Sequence, residues 1–95
     1  METDPQFYHR ADAHIELSNQ QISPAVSSGK VSASFMYSVA RFNAWLTATG
    51  FSSGEEMEKQ KDEVIEYFTA EYAKMLEENL EDYISQFEEY MGRKK

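Results

Sequence analysis

The sequence predicts an all-α protein: a small helical bundle of three to four helices with a long C-terminal helix. Three observations predict it. The two prolines stand at positions 5 and 24 and the four glycines at 29, 50, 54 and 92, so three long segments run without a backbone breaker. Within each segment apolar residues recur at three- and four-residue steps, the period of one helix face. Two of the segments open on helix-start residues, Asp4-Pro5 and Ser52-Ser53-Gly54-Glu55-Glu56. Ninety-five residues make room for one domain of ordinary size, and residues 1–95 read as a single helical domain.

The first helix is expected over about 5–22. Asp4 offers a capping carboxylate ahead of a proline at the first helical position. Tyr8, Ala11, Ile15, Ser18 and Ile22 then mark one face, bordered by Phe7 and His14. Pro24 disfavours helical geometry in the residue before it, which stops the helix near Ser23. Residues 24–30 read as a connecting loop.

A second helix is expected over about 32–49, with Gly50 as a left-handed C-terminal cap. Its main stripe is Phe35, Val39, Phe42 and Leu46, and a second stripe holds Tyr37, Arg41 and Trp45. A helix apolar or small over most of its circumference is usually covered on more than one side, which makes this the central helix. Phe42 lies mid-stripe; as a core residue its truncation to alanine would cost about 3–5 kcal/mol.

The third helix is expected over about 54–91. Ser53 and Glu56 have capping-box spacing, and no Gly or Pro follows until Gly92. Its apolar face changes along its length. Met57, Val64, Phe68, Tyr72 and Met75 form one stripe, and Leu76, Leu80, Tyr83, Ile84, Phe87 and Met91 form another rotated by roughly 100°. Such a rotation asks for a bend or break near 77–82, or a different packing partner for the second stripe. In the latter case residues 77–91 fold back as a fourth helix or meet another chain.

Composition narrows the functional classes. The chain has no cysteine, which excludes disulfides, thiolate catalysis and metal–thiolate sites. Formal net charge is −8, divided as −1 over residues 1–50 and −7 over residues 51–95. Nucleic acid and anionic membrane surfaces would be repelled by the second half. The basic Arg93-Lys94-Lys95 suits a helix C-terminal dipole or a solubilising tail. The start, Met1-Glu2-Thr3-Asp4-Pro5, is acidic and polar, unlike a secretory leader, and no apolar run approaches the ~20 residues that span a bilayer. A cytoplasmic protein is expected.

The constellations that carry chemistry elsewhere fail on spacing. Ser27-Ser28-Gly29-Lys30 lacks the first glycine of a phosphate-binding loop, because Pro24 stands there. An anion held by the N–H groups of the second helix beside Lys30 is the weaker form of that idea. His9 and His14 lie five apart, where metal-binding pairs on a helix need three or four. The many carboxylates of the third segment read as a solvated face, with helix-stabilising pairs such as Glu55–Lys59. No catalytic, cofactor-binding or metal-binding residue is assigned, no cofactor is implied, and the chain reads as a non-enzyme. Tyr37, Arg41 and Trp45 are the most unusual local series: at four-residue steps the arginine can lie between two aromatic faces. They and Leu80, Ile84 and Phe87 are the candidate interaction residues.

Ala11-Asp12-Ala13-His14-Ile15-Glu16-Leu17-Ser18-Asn19, Gly29-Lys30-Val31-Ser32-Ala33-Ser34, Ala40-Arg41-Phe42-Asn43-Ala44, Glu66-Tyr67-Phe68-Thr69 and Asn79-Leu80-Glu81-Asp82-Tyr83-Ile84 together resemble a small proteobacterial family, the domain of unknown function numbered 3144. The resemblance covers most of residues 7–84. It implies a bacterial cytosolic helical protein and transfers no site residue.

The expected function is therefore a non-enzymatic protein-interaction module, acting on another protein or on itself as a dimer, with no nucleic-acid or membrane partner. The alternative is a small-ligand binder with an aromatic pocket among Tyr8, Phe35, Phe42, Phe68 and Tyr72. A third reading, an enzyme using His14 as acid–base, has the least support.

Overall fold

A computed structural model of the chain describes residues 4–92. The described residues are 81% helix and contain no strand. Five helices occur among them: α1 (Phe7–Gln21), α2 (Ser28–Ala48), α3 (Gly54–Lys59), α4 (Lys61–Ser85) and α5 (Phe87–Met91). The chain divides into two compact units, Met1–Leu46 and Thr47–Lys95. The acidic start Met1-Glu2-Thr3 and the basic Arg93-Lys94-Lys95 lie outside the described residues.

In the first unit α1 begins at Phe7 with Gln6 as its N-cap, two residues later than expected, and Asp4 holds the turn that precedes it. Its carboxylate accepts the Gln6 N–H at 2.9 Å and the Arg10 guanidinium at 2.9 and 3.4 Å. The Arg10 hydrogen bond, then that of Gln6, holds the Asp4 carboxyl below its ordinary range. This lowered value contributes stability above the unfolded carboxyl pKa, lost as pH falls through the folded one. Past α1, Ser23-Pro24-Ala25-Val26 closes a turn with proline at its second position. Ser23 and Val26 exchange backbone N–H···O bonds of 3.0 and 3.1 Å.

The second helix begins four residues earlier than its apolar pattern suggests. Ser27 is the reason: its hydroxyl accepts the Lys30 N–H at 3.2 Å, so Ser28, Gly29 and Lys30 enter the first turn instead of a loop. The same bond takes one of the N–H groups that an anion beside Lys30 would use. Along α2, Ser34 and Ser38 turn their hydroxyls back onto carbonyls of the preceding turn, which leaves these polar groups satisfied on the helix itself.

Gly50 does not supply a left-handed cap. The positive-φ glycine among the described residues is Gly92, at the end of α5 (φ 67°). The second helix instead closes with tightened three-residue bonds, Gly50 N–H to Thr47 and Phe51 N–H to Ala48, at 3.0 and 3.1 Å.

Burial in this unit centres on the turn side of the two helices. Val31, 4% exposed, is the one buried hydrophobic among the described residues; Ala11, Ser18, Val26 and Phe35 are half-buried. The His14 and Phe35 rings meet at 6.3 Å between α1 and α2. The central-helix expectation is corrected further along α2, where Phe42 is 60% exposed and Val39 is exposed as well. Only the first part of the predicted stripe therefore meets α1. Val31→Ala is expected to cost about 2 kcal/mol in chemical denaturation of the full chain, from lost burial and the cavity left behind. A variant as stable as the parent would contradict this placement of the core.

In the second unit Ser53 caps α3 as expected, accepting the Glu56 N–H at 3.1 Å. The third helix expected over about 54–91 is interrupted twice, at Gln60 (φ −102°, ψ 4°) and at Gln86 (φ −122°, ψ 38°), and not at 77–82. Residues 77–82, where a bend was expected, lie inside unbroken α4. Asn79 donates to the Met75 carbonyl at 2.8 Å there, satisfying its amide along the helix. No bend separates the two stripes within α4, and Tyr72 and Met75 of the first are exposed there like Leu76 and Leu80 of the second.

Candidate interaction surface

The two faces of α4 have different surroundings within their own unit. Val64 and Phe68 are half-buried, as are Phe51 and Met57 on the segment leading into the helix. Phe51, Gln60, Glu63, Val64 and Phe68 line an open groove of about 330 Å³ at this elbow. The break at Gln60 makes the elbow: its N–H bonds to the carbonyl three residues back, Met57, at 3.0 Å, while Val64 N–H takes up the Gln60 carbonyl.

The other face runs Ile65, Tyr72, Leu76, Leu80 and Ile84, all exposed. At 100° per residue these five fall within an arc of roughly 120°. Leu80 is 53% and Ile84 69% exposed, and Phe87 continues the apolar surface onto α5. Single exposed apolar residues are ordinary, whereas a row of them on one helix face is a candidate interaction surface.

The turn into α5 is held by its own side chains. Tyr90 donates its hydroxyl to Asp82 Oδ2 at 2.8 Å, and its ring stacks on Tyr83 at 4.6 Å. The two contacts bridge the interruption at Gln86. The Asp82 hydrogen bond, and then its charge, raise the Tyr90 phenol above its ordinary pKa. A raised value contributes stability that is complete below the unfolded phenol pKa of about 10 and is lost as pH rises through the folded one. Ultraviolet titration should show Tyr90 ionising above the ordinary value, with Asp82→Asn bringing it back. An unchanged titration in that variant would sever the link between the two residues.

The candidate series on α2 is placed on the exposed side of the first unit. Tyr37 is 67% and Trp45 60% exposed. The Trp45 ring lies against Phe42, at 5.6 Å and 43°, so the aromatic pair that forms is three residues apart and includes a residue expected in the core. Of the aromatic residues expected to line a ligand pocket, Phe68 lines the elbow groove, while Tyr8, Phe42 and Tyr72 are exposed. Among the described residues no group of three or more His, Asp and Glu side chains converges as a metal site. None of the described helices is long and apolar enough to cross a membrane. The elbow groove and both interruptions escaped the sequence reading, because Gln60 and Gln86 carry no breaker signal.

Fold and surface together define a class: an all-helical protein whose most developed feature is a set of apolar helix faces. The chain belongs to the DUF3144 family, described as proteins of unknown function, which it matches over residues 7–84. No curated protein and no solved structure matches it.

Proposed function

We propose that the protein is a non-enzymatic interaction module of the cytoplasm that works by packing its helices against another polypeptide. The observation that carries this reading is the exposed apolar row Ile65, Tyr72, Leu76, Leu80 and Ile84 on α4. Covering that row completes a small bundle of three to four helices, in which α4 and α5 act as the long C-terminal arm. Tyr37, Arg41 and Trp45 on α2, with Leu80, Ile84 and Phe87 on the arm, are the contacting residues. The partner is protein rather than nucleic acid or an anionic membrane, because a net charge of −8 repels both. No catalytic step or cofactor is asked of the chain.

The test is affinity capture with the tagged chain beside Leu80→Glu, followed by mass spectrometry. A polypeptide, whether the chain itself or another protein, should be retained by the parent and lost by the variant. Identical captures from both would reject the face as the site of interaction. A second reading, binding of a small apolar ligand, is supported by the elbow groove, whose volume falls at the low end for ligand sites. Val64→Trp, which fills the groove, separates the two: it would abolish ligand binding and leave capture by the α4 face intact.

A further inference from the structure

We infer that α4 and α5 are two parts of one helix held apart by a latch, and that releasing the latch joins them into a continuous helix over residues 61–91. The latch is the Tyr90 side chain. Its hydroxyl donates to Asp82 Oδ2 at 2.8 Å, and its ring stacks on Tyr83 at 4.6 Å. All of these residues lie in the second unit. The inference goes beyond the interaction reading, because it concerns the length of the apolar row whatever covers it.

The break at Gln86 leaves backbone groups without ladder partners on both of its sides. Gln86 makes no side-chain cap for α5. The N–H groups of Phe87, Glu88 and Glu89, as its first turn, have no partner within that helix. At the end of α4 the Gln86 N–H takes the Asp82 carbonyl at 3.1 Å, and the carbonyls of Tyr83, Ile84 and Ser85 are left over in the same way. These are the three pairs that a continuous helix would bond. A helix of five residues is also too short to hold itself. No glycine or proline stands between Gly54 and Gly92 to require the break.

The Tyr90 contacts span the break, and on a continuous helix neither can form. Tyr83 and Tyr90 would lie roughly 10.5 Å apart along the axis, and Asp82 and Tyr90 roughly 12 Å, with all three side chains leaning towards the N-terminus. Latch and continuous helix therefore exclude each other, which makes the junction a two-state element. Joining extends the exposed row. Leu76, Leu80 and Ile84 lie on α4, Phe87 and Met91 on the separate axis of α5, and all five are exposed. On one axis they fall within an arc of roughly 80° at 100° per residue. Gly92, left-handed with its N–H on the Glu88 carbonyl at 2.9 Å, ends the helix in either state. An apolar surface that meets all five residues favours the joined state by its differential contact with it.

Amide exchange followed residue by residue by NMR on the full chain tests this, with Tyr90→Ile as the released form. Isoleucine has about the helix propensity of tyrosine, so the substitution removes ring and hydroxyl without itself favouring the helix. The N–H groups of Phe87, Glu88 and Glu89 should exchange at least about tenfold more slowly in the variant than in the parent, as they gain ladder partners. Unchanged or faster exchange at these three positions would show that loss of the latch does not join the helices, and would overturn the inference. If circular dichroism shows Tyr90→Ile unfolded, Asp82→Val takes its place with the same expected slowing, valine and aspartate being alike in helix propensity. Neither result depends on capture of a partner, so the interaction reading stands or falls separately.

Discussion

Replacing Ile84 by glutamate is expected to weaken association more than a hundredfold, a loss of at least about 3 kcal/mol. Ile84 is the most exposed of the α4 row, so in the separate chain a carboxylate there meets water and costs little. In the associated state the same carboxylate enters an apolar contact on a helix that already carries eight acidic residues. Burying it unpaired costs several kcal/mol, and neighbouring like charges add to that. The helical content of the dilute variant should match that of the dilute parent. Sedimentation and circular dichroism on both chains check the two halves. An Ile84→Glu chain that associates as the parent does would remove the α4 face from the account.

The second large effect is expected at Phe42. Truncation to alanine should cost about 3–5 kcal/mol, the usual figure for a buried phenylalanine, but only at concentrations where the chains associate. Its ring is exposed in the single chain and touches Trp45, its neighbour on the same helix. A conventional core residue would show the full loss at every concentration. Denaturation of Phe42→Ala and parent at high and low protein concentration distinguishes the two. A loss that does not depend on concentration would return Phe42 to an intramolecular core.

Much of the helical architecture is legible in local chemistry. Pro24 ends the first helix, and Ser53 starts the third segment with the hydroxyl-to-amide bond that its spacing announces. Two kinds of boundary are not legible. Ser27 against Gly29 is a competition between a cap and a glycine, and the cap prevails because a helix start needs an acceptor more than it needs an alanine. Gln60 and Gln86 break the third segment by a local change of backbone angle and bonding, in residues with no steric or hydrogen-bonding peculiarity. The structure gives no side-chain cause for the break at Gln60. At Gln86 the Tyr90–Asp82 bond and the Tyr83–Tyr90 stack span the interruption.

The candidate surface is legible as periodicity but not as exposure. The rotation from Val64 and Phe68 to Leu80 and Ile84 is visible in spacing alone, but Tyr72 and Met75, read with the first stripe, are exposed like the second. Which residues are covered depends on contacts between elements. Phe42 shows the limit from the other side: its place in an apolar stripe cannot distinguish a core position from an interface position, because both exclude water by the same physics.

Thermal unfolding of the full chain across a concentration series tests the central claim most directly, that these helix faces are covered by association. If folding is coupled to pairing, each tenfold dilution removes about 1.4 kcal/mol per mole of dimer, and Tm should fall by about 3 °C. A Tm constant over two or more decades of concentration, with the chain sedimenting as a monomer throughout, would show that self-pairing does not stabilise the fold and would contradict the account.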